Sequence, residues 1–244
     1  MPATNLILYS LIFIFFFSSI LGYGITLNKY LIKNQELKLG ESGIFGFIAL
    51  YLISVFFHFF ISINILFSSI ILISGLFLFF KNSNLIICEI INNYKIFFTV
   101  FFLFFLLSIT NNLHDDAYLY QLPYINYLQS NKIIFGLVSL NDFAAYSHGL
   151  YDVMSLFKLP IIENQAIFTL PVIFVLFFSI FLIENLKINK NYFDIFIYII
   201  FFLILFKFTR SKQYGTDVPI ICLIFMIQIY ILNFLKEKNQ ASFL

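Results

Sequence analysis

Thr99-Val100-Phe101-Phe102-Leu103-Phe104-Phe105-Leu106-Leu107-Ser108-Ile109-Thr110-Asn111-Asn112-Leu113-His114-Asp115-Asp116 passes within a few residues from an apolar run to two adjacent carboxylates. The segment Asn111 to Pro160 that begins there is the one long polar-containing stretch in a chain otherwise built of Phe, Ile and Leu runs. Of 244 residues, 61% are hydrophobic and 11% charged, against roughly 25% charged in an ordinary soluble domain. A soluble fold of this size lacks the interior to hide so much apolar surface, so lipid must solvate most of the chain. A soluble enzyme is excluded on that ground. A nucleic-acid partner is excluded too, since no soluble segment carries a basic-aromatic stripe, and no glycine-rich phosphate loop is present.

A bilayer core of about 30 Å takes about 20 helical residues. By that measure the fold class is all-α: a polytopic transmembrane helical bundle of about seven spans with an extracytoplasmic loop of short amphipathic helices. The chain is one integral membrane domain, 1–244, with spans near 6–27, 44–61, 65–80, 94–110, 166–183, 193–209 and 218–235 and an outer loop over 111–165. The first run lacks a positive leader and a small-residue cleavage site, so it reads as a retained span. The second and third, joined by Ser62-Ile63-Asn64, are expected to form a tight hairpin, and Asn82 to Asn93 to lie along the interface. With no Trp in the chain, the fifteen Tyr take the interfacial anchoring role. Cys88 and Cys222 have no metal-type spacing and read as small fillers.

Orientation follows the basic residues. With the N-terminus outside, Lys29, Lys33, Lys38, Lys81, Lys95, Lys187, Lys190, Lys236 and Lys238 face inward. Lys132, Lys158, Lys207, Arg210 and Lys212 face outward. The 111–165 loop then lies outside and the C-terminus is cytoplasmic. This places Asp115-Asp116 and the cluster Lys207 to Asp217 on one face.

Within the loop, Leu119, Leu122, Ile125 and Leu128 recur at helical spacing, with Pro123 kinking or restarting the helix. One Asp could serve merely as an N-cap. Two together exceed what capping needs, and their repulsion calls for a cation, a hydroxyl or an Arg nearby. Ser147 is expected to cap a second helix with Leu150, Val153, Met154 and Phe157 as its apolar stripe, ended by Pro160. Asn141, Asp142, Tyr146 and His148 could line a cleft with the Asp pair. Asp142 and Asp152 read as solvated-face acids, His58 as interfacial, and His148 as a loop histidine or a ligand-binding one. Three scattered histidines do not make a metal site by spacing. Lys207 and Arg210 share a helix face. Either they snorkel to lipid headgroups, or they and Lys212 hold a phosphate, which would justify cations on the outer side.

The segment Asp115-Asp116-Ala117-Tyr118-Leu119-Tyr120-Gln121-Leu122-Pro123, with Gly136-Leu137, Leu140-Asn141, His148-Gly149 and Tyr214-Gly215-Thr216-Asp217-Val218-Pro219, resembles the GT-C glycosyltransferases over roughly residues 94–220. The similarity is to family 39-like, lipopolysaccharide-core and aminoarabinose transferases, and to related multi-span bacterial proteins. The acidic motif here follows the fourth span rather than the first. The chain is also shorter than proteins of that type, so either it is a truncated form or the function needs only part of the fold. The resemblance implies a bacterial inner-membrane enzyme of the cell envelope. Its donor would be a sugar on a polyprenyl phosphate, and its acceptor an envelope glycan or glycolipid hydroxyl. Asp115 and Asp116 would be catalytic, Asp115 as general base, with inversion at the anomeric carbon. His114, Tyr118, Asn141, His148, Lys207, Arg210, Lys212 and Asp217 would bind substrate. No cofactor is required with certainty; Mg²⁺ or Mn²⁺ is compatible but not demanded, since basic residues can replace it. Membrane lipid is the expected partner and protein partners are not specified. Two other classes compete: a transporter or flippase-like protein binding anionic lipid, and a non-catalytic membrane subunit.

Overall fold

A computed structural model describes residues 3–32, 38–109, 115–140, 148–160, 167–186, 192–213 and 217–241; of the side chains at 3–5, 31–32, 138, 140, 192, 208–213 and 236–241, only the backbone is described. Within these residues the chain is helical, with no strand. α1 (Ala3–Leu27) runs on through a π-helical turn (Asn28–Ile32), followed by α2 (Leu39–His58), α3 (Ile65–Lys81), α4 (Ser83–Asn92) and α5 (Tyr94–Ser108). A second π-helical turn (Ala117–Gln121) leads into α6 (Leu122–Ser130). Then come α7 (Leu137–Leu140), α8 (Gly149–Phe157), α9 (Thr169–Asn185), α10 (Tyr192–Gln213) and α11 (Asp217–Ala241).

Each of the seven expected apolar segments is a helix, but the expectation of seven spans is corrected. Among the described residues three helices, Leu6–Tyr30, Leu39–His58 and Asp217–Leu235, are long and apolar enough to cross a membrane. A fourth is reached if α3 and α4, bent by 65° at Asn82, count as one broken span. α5 and α9 are shorter apolar helices of 15 and 17 residues. They fall at or below the length that about 30 Å of hydrocarbon requires.

The helices pack as lipid-solvated helices do, through small residues that bring backbones close. A Cβ on Gly24 would lie 1.6 Å from the Ser42 carbonyl oxygen of α2, and one on Gly22 2.1 Å from the Gly75 carbonyl oxygen of α3. Gly46 meets the Ile20 carbonyl in the same way, and Gly40 meets the backbone of Phe181 on α9. α1 is therefore the common partner of α2 and α3. The tight α2–α3 hairpin is replaced by two helices laid against opposite notches of a third. Hydrogen bonds reinforce this: the Ser19 hydroxyl donates to the Leu72 carbonyl at 3.2 Å, and the Tyr23 hydroxyl to that of Ile71 at 2.9 Å. The Tyr9 hydroxyl, donating to the Ser108 carbonyl at 2.7 Å, ties α1 to α5.

α9 is the centre. Its residues from Thr169 to Leu182 are all buried, with α2, α5, α10 and α11 packed around it. An all-round apolar helix is stable only when covered on every side. Its C-terminal end is joined to α2: the Glu184 carboxylate accepts from the Leu39 N–H at 2.7 Å and the Gly40 N–H at 3.2 Å. Those are two of the donors a helix start leaves without partners. Outward-facing Phe77, Phe102, Phe202, Phe206 and Phe234 are exposed, as expected where hydrocarbon is the solvent. Cys88 is exposed on α4 and Cys222 buried on α11, so only the second is an apolar filler.

Candidate functional site

Asp116 is not an N-cap. Its backbone is already helical at φ −55° and ψ −29°, and its side chain caps no N–H; capping needs an extended residue. The Asp115 carbonyl instead accepts from the N–H groups of Tyr118 at 3.0 Å and Leu119 at 3.2 Å. That opens the π-helical turn, a distortion frequent at functional sites. Pro123, in the first turn of α6, restarts the regular helix. One turn on, the Tyr120 hydroxyl donates to Asp116 Oδ2 at 3.4 Å. Burial raises the Tyr120 pKa, the amide of Gln121 works against this, and the charges of Asp116 and Asp217 add to it. The phenol is therefore held as a donor. Gln121 is 2% exposed, and its Oε1 has no hydrogen-bond partner among the described residues.

Asp217 opens α11 and is exposed. Its charge reaches both Tyr120 and His148. Asp116 and Asp217 thus both act on the Tyr120 phenol, although 100 residues of sequence separate the two acids, and Asp217 acts on His148 as well. His148, rather than Ser147, caps α8: its Nδ1 accepts from the Leu150 N–H at 3.1 Å. That role requires Nδ1 to be unprotonated, and burial, which lowers the pKa of this half-buried ring, favours the neutral form against the pull of Asp217. The expected stripe of α8 is buried at Leu150, Val153, Met154 and Phe157.

The remaining expected residues divide. Asp115 and Tyr118 are exposed. Lys207 is exposed on α10, while Arg210 and Lys212 stand in its last turn by backbone position. Three residues, 214–216, separate that helix from Asp217, which places the basic end of α10 at the same end of the bundle as Tyr120. His114, Asn141, Asp142, Tyr146 and Ser147 lie outside the described residues. Among those described, no three His, Cys, Asp or Glu side chains gather as a metal-holding group.

Two clefts open beside this group. One, of about 180 Å³, is apolar and lies between α2, α8, α9 and α11, lined by Phe47, Tyr51, His148, Val153, Pro219 and Leu223 among others. It begins two residues from Asp217. The other, of about 360 Å³, is lined by His58, Tyr124, Tyr127, Phe135 and Asp152 among others. His58, expected near the end of the second span, is the last residue of α2 and is 3% exposed, its Nε2 2.9 Å from the Asn131 carbonyl. One expectation is corrected here. Asp152 is not on a solvated face; it is half-buried in the cleft wall, and burial pushes its carboxyl up to about 7. Tyr120, Gln121 and this second cleft were missed in the sequence; the Asp116-x-x-x-Tyr120 spacing was the one available signal.

Fold and site together define an all-helical protein of apolar, membrane-compatible helices with an acid- and tyrosine-bearing group at one end. The chain belongs to the family described as Domain of unknown function (DUF8201), whose model matches residues 5–244. No curated protein matches the chain, and no solved structure does.

Proposed function

We propose that this protein is an integral membrane glycosyltransferase of GT-C type, moving a sugar from a polyprenyl phosphate to a hydroxyl of an envelope glycan or glycolipid. The observation that carries the reading is the meeting of the Asp116 turn with the start of α11 through Tyr120 and Asp217. The basic end of α10 stands just before Asp217, at the same end of the bundle. The apolar cleft that starts at His148 and Pro219 offers a lipid tail a path away from that group.

In the proposed step the acceptor hydroxyl attacks the anomeric carbon while Asp115 takes its proton. The bond from that carbon to the phosphate oxygen breaks, and the polyprenyl phosphate leaves with the electron pair. Asp116, held by Tyr120, orients the acceptor. Arg210, with Lys207 or Lys212, balances charge on the leaving phosphate. One displacement inverts the centre, without a covalent intermediate. The site would face outward from a bacterial inner membrane, with the C-terminus cytoplasmic, as the basic residues favour.

The test is turnover of a polyprenyl-phosphate hexose by the full chain in lipid nanodiscs, beside Asp115→Asn and Asp116→Asn. Loss of general-base catalysis would slow transfer by about 10²–10⁴-fold with donor binding retained. The apolar cleft also suits a carrier of anionic lipid, which needs no base. Lipid movement unaffected by both substitutions, with no glycosidic product, would favour that second reading.

A further inference from the structure

None of the side chains used in the step just described lines the larger cleft, yet its walls are built rather than incidental. The Ile133 N–H donates to the His58 carbonyl at 3.2 Å, pinning the 131–134 strand of chain onto the end of α2. The Tyr127 hydroxyl accepts from the Ile134 N–H at 3.2 Å and donates to the Lys132 carbonyl at 3.3 Å. On the far wall the Ser54 hydroxyl donates to the Asp152 carbonyl at 3.0 Å, fixing α8 to α2. Gln129 bridges α6 to α8 through the carbonyls of Ser155 at 3.0 Å and Lys158 at 2.6 Å. Gly136, at φ 81°, turns the chain back at the rim, where a side chain would be strained.

The lining selects a ligand class. An anion is disfavoured because no Lys or Arg is among the residues that line the cleft. A hydrocarbon chain would strip water from Asp152 without replacing its hydrogen bonds. A small ammonium ion could use Asp152 and the aromatic rings, but would fill only part of a volume of about 360 Å³. A ring with apolar C–H faces and hydroxyls pointing several ways uses both. The volume, about 360 Å³, falls in the roughly 300–1,000 Å³ range of small-molecule clefts.

We infer that this cleft binds a neutral pyranose ring, its hydroxyls met by Asp152 and its C–H faces by Tyr124, Tyr127 and Phe135; resting on the function proposed above, that ring is the acceptor sugar. Tyr151 connects the two sites, its ring centroid 6.1 Å from Tyr124 and 6.0 Å from His148.

The experiment is saturation-transfer NMR on the full chain in nanodiscs with the methyl pyranosides of glucose, galactose and mannose. At least one should receive saturation at its ring protons. The near-isosteric Asp152→Asn should weaken it about tenfold, the size of one lost hydrogen bond to a charged group. Cys88→Ser, exposed on α4 and lining neither cleft, should bind as before. No binding by any of the three, or binding unchanged in Asp152→Asn, overturns the proposal, as does displacement by tetramethylammonium. Displacement by undecaprenyl-phosphate glucose in the same bilayer would assign the cleft to the donor and overturn the acceptor assignment. Pyranoside binding without any transfer leaves the cleft and removes the transferase. Transfer whose acceptor KM is unchanged in Asp152→Asn does the reverse.

Discussion

The Tyr120 hydroxyl reaches Asp116 across a single π-helical turn, 3.4 Å from Oδ2, while feeling the charge of Asp217 at the start of a helix a hundred residues later. A bond of that length is weak. Its effect is to orient a carboxylate rather than to neutralise it. Tyr120→Phe is therefore expected to lower transfer by about tenfold, and by less than Asp116→Asn, with thermal unfolding unchanged within about 1 kcal/mol. Rate measurements on both variants in one lipid preparation check the order.

The helix junctions are steric. Gly24→Ala would drive a methyl into the Ser42 carbonyl, which belongs to rigid backbone. The expected cost is about 1–3 kcal/mol or more, read as a fall in the detergent unfolding midpoint. Gly136→Ala, whose Cβ would meet nothing within 4 Å, carries only the strain of its positive φ and should cost about 1 kcal/mol.

Glu184 closes the gap between α9 and the start of α2 through the N–H groups of Leu39 and Gly40. Glu184→Ala should destabilise by about 1–3 kcal/mol because two amide donors lose their acceptor. Glu184→Gln, keeping one oxygen, should recover part of it. Unfolding of the three proteins side by side gives the ranking.

Asp152 makes stability depend on pH. Burial raises its folded pKa to about 7 from an ordinary 3.8. The folded state thus binds this proton more tightly than the unfolded one, so the contribution is favourable at low pH. It is lost as pH rises from about 4 to about 7 and is flat above. Asp152→Asn should abolish that slope and gain up to about 4 kcal/mol over the parent at pH 8. Unfolding midpoints from pH 4 to 8 test this; parallel curves for the two proteins would contradict it.

Much of the helical framework could be read from Phe, Ile and Leu runs, because burial in lipid or among helices imposes apolarity whatever the detailed packing. The stripe of α8 and the restart at Pro123 were readable for the same local reasons. The number of crossings was not, since apolarity does not distinguish a span from a covered core helix such as α9. Nor was the α2–α3 relation, because Gly24 meets Ser42 and Gly22 meets Gly75 only in three dimensions. At the site, Asp116, His148 and Asp217 were visible as polar residues in apolar surroundings. Tyr120, on which both acids act, was hidden among many tyrosines. The burial of Asp152 and His58 depends on the 131–137 segment folding over them, which no local pattern announces.

The central claim is that the acids near residue 115 and the cations near residue 210 share one mouth of the bundle. The most direct measurement is the distance between spin labels at Tyr118→Cys and Lys212→Cys, in a Cys88→Ser, Cys222→Ser background in nanodiscs. A distance under about 20 Å is predicted, because both labels would sit on one side of the roughly 30 Å hydrocarbon core. A distance above about 30 Å, with the labels quenched from opposite faces of the disc, would contradict it.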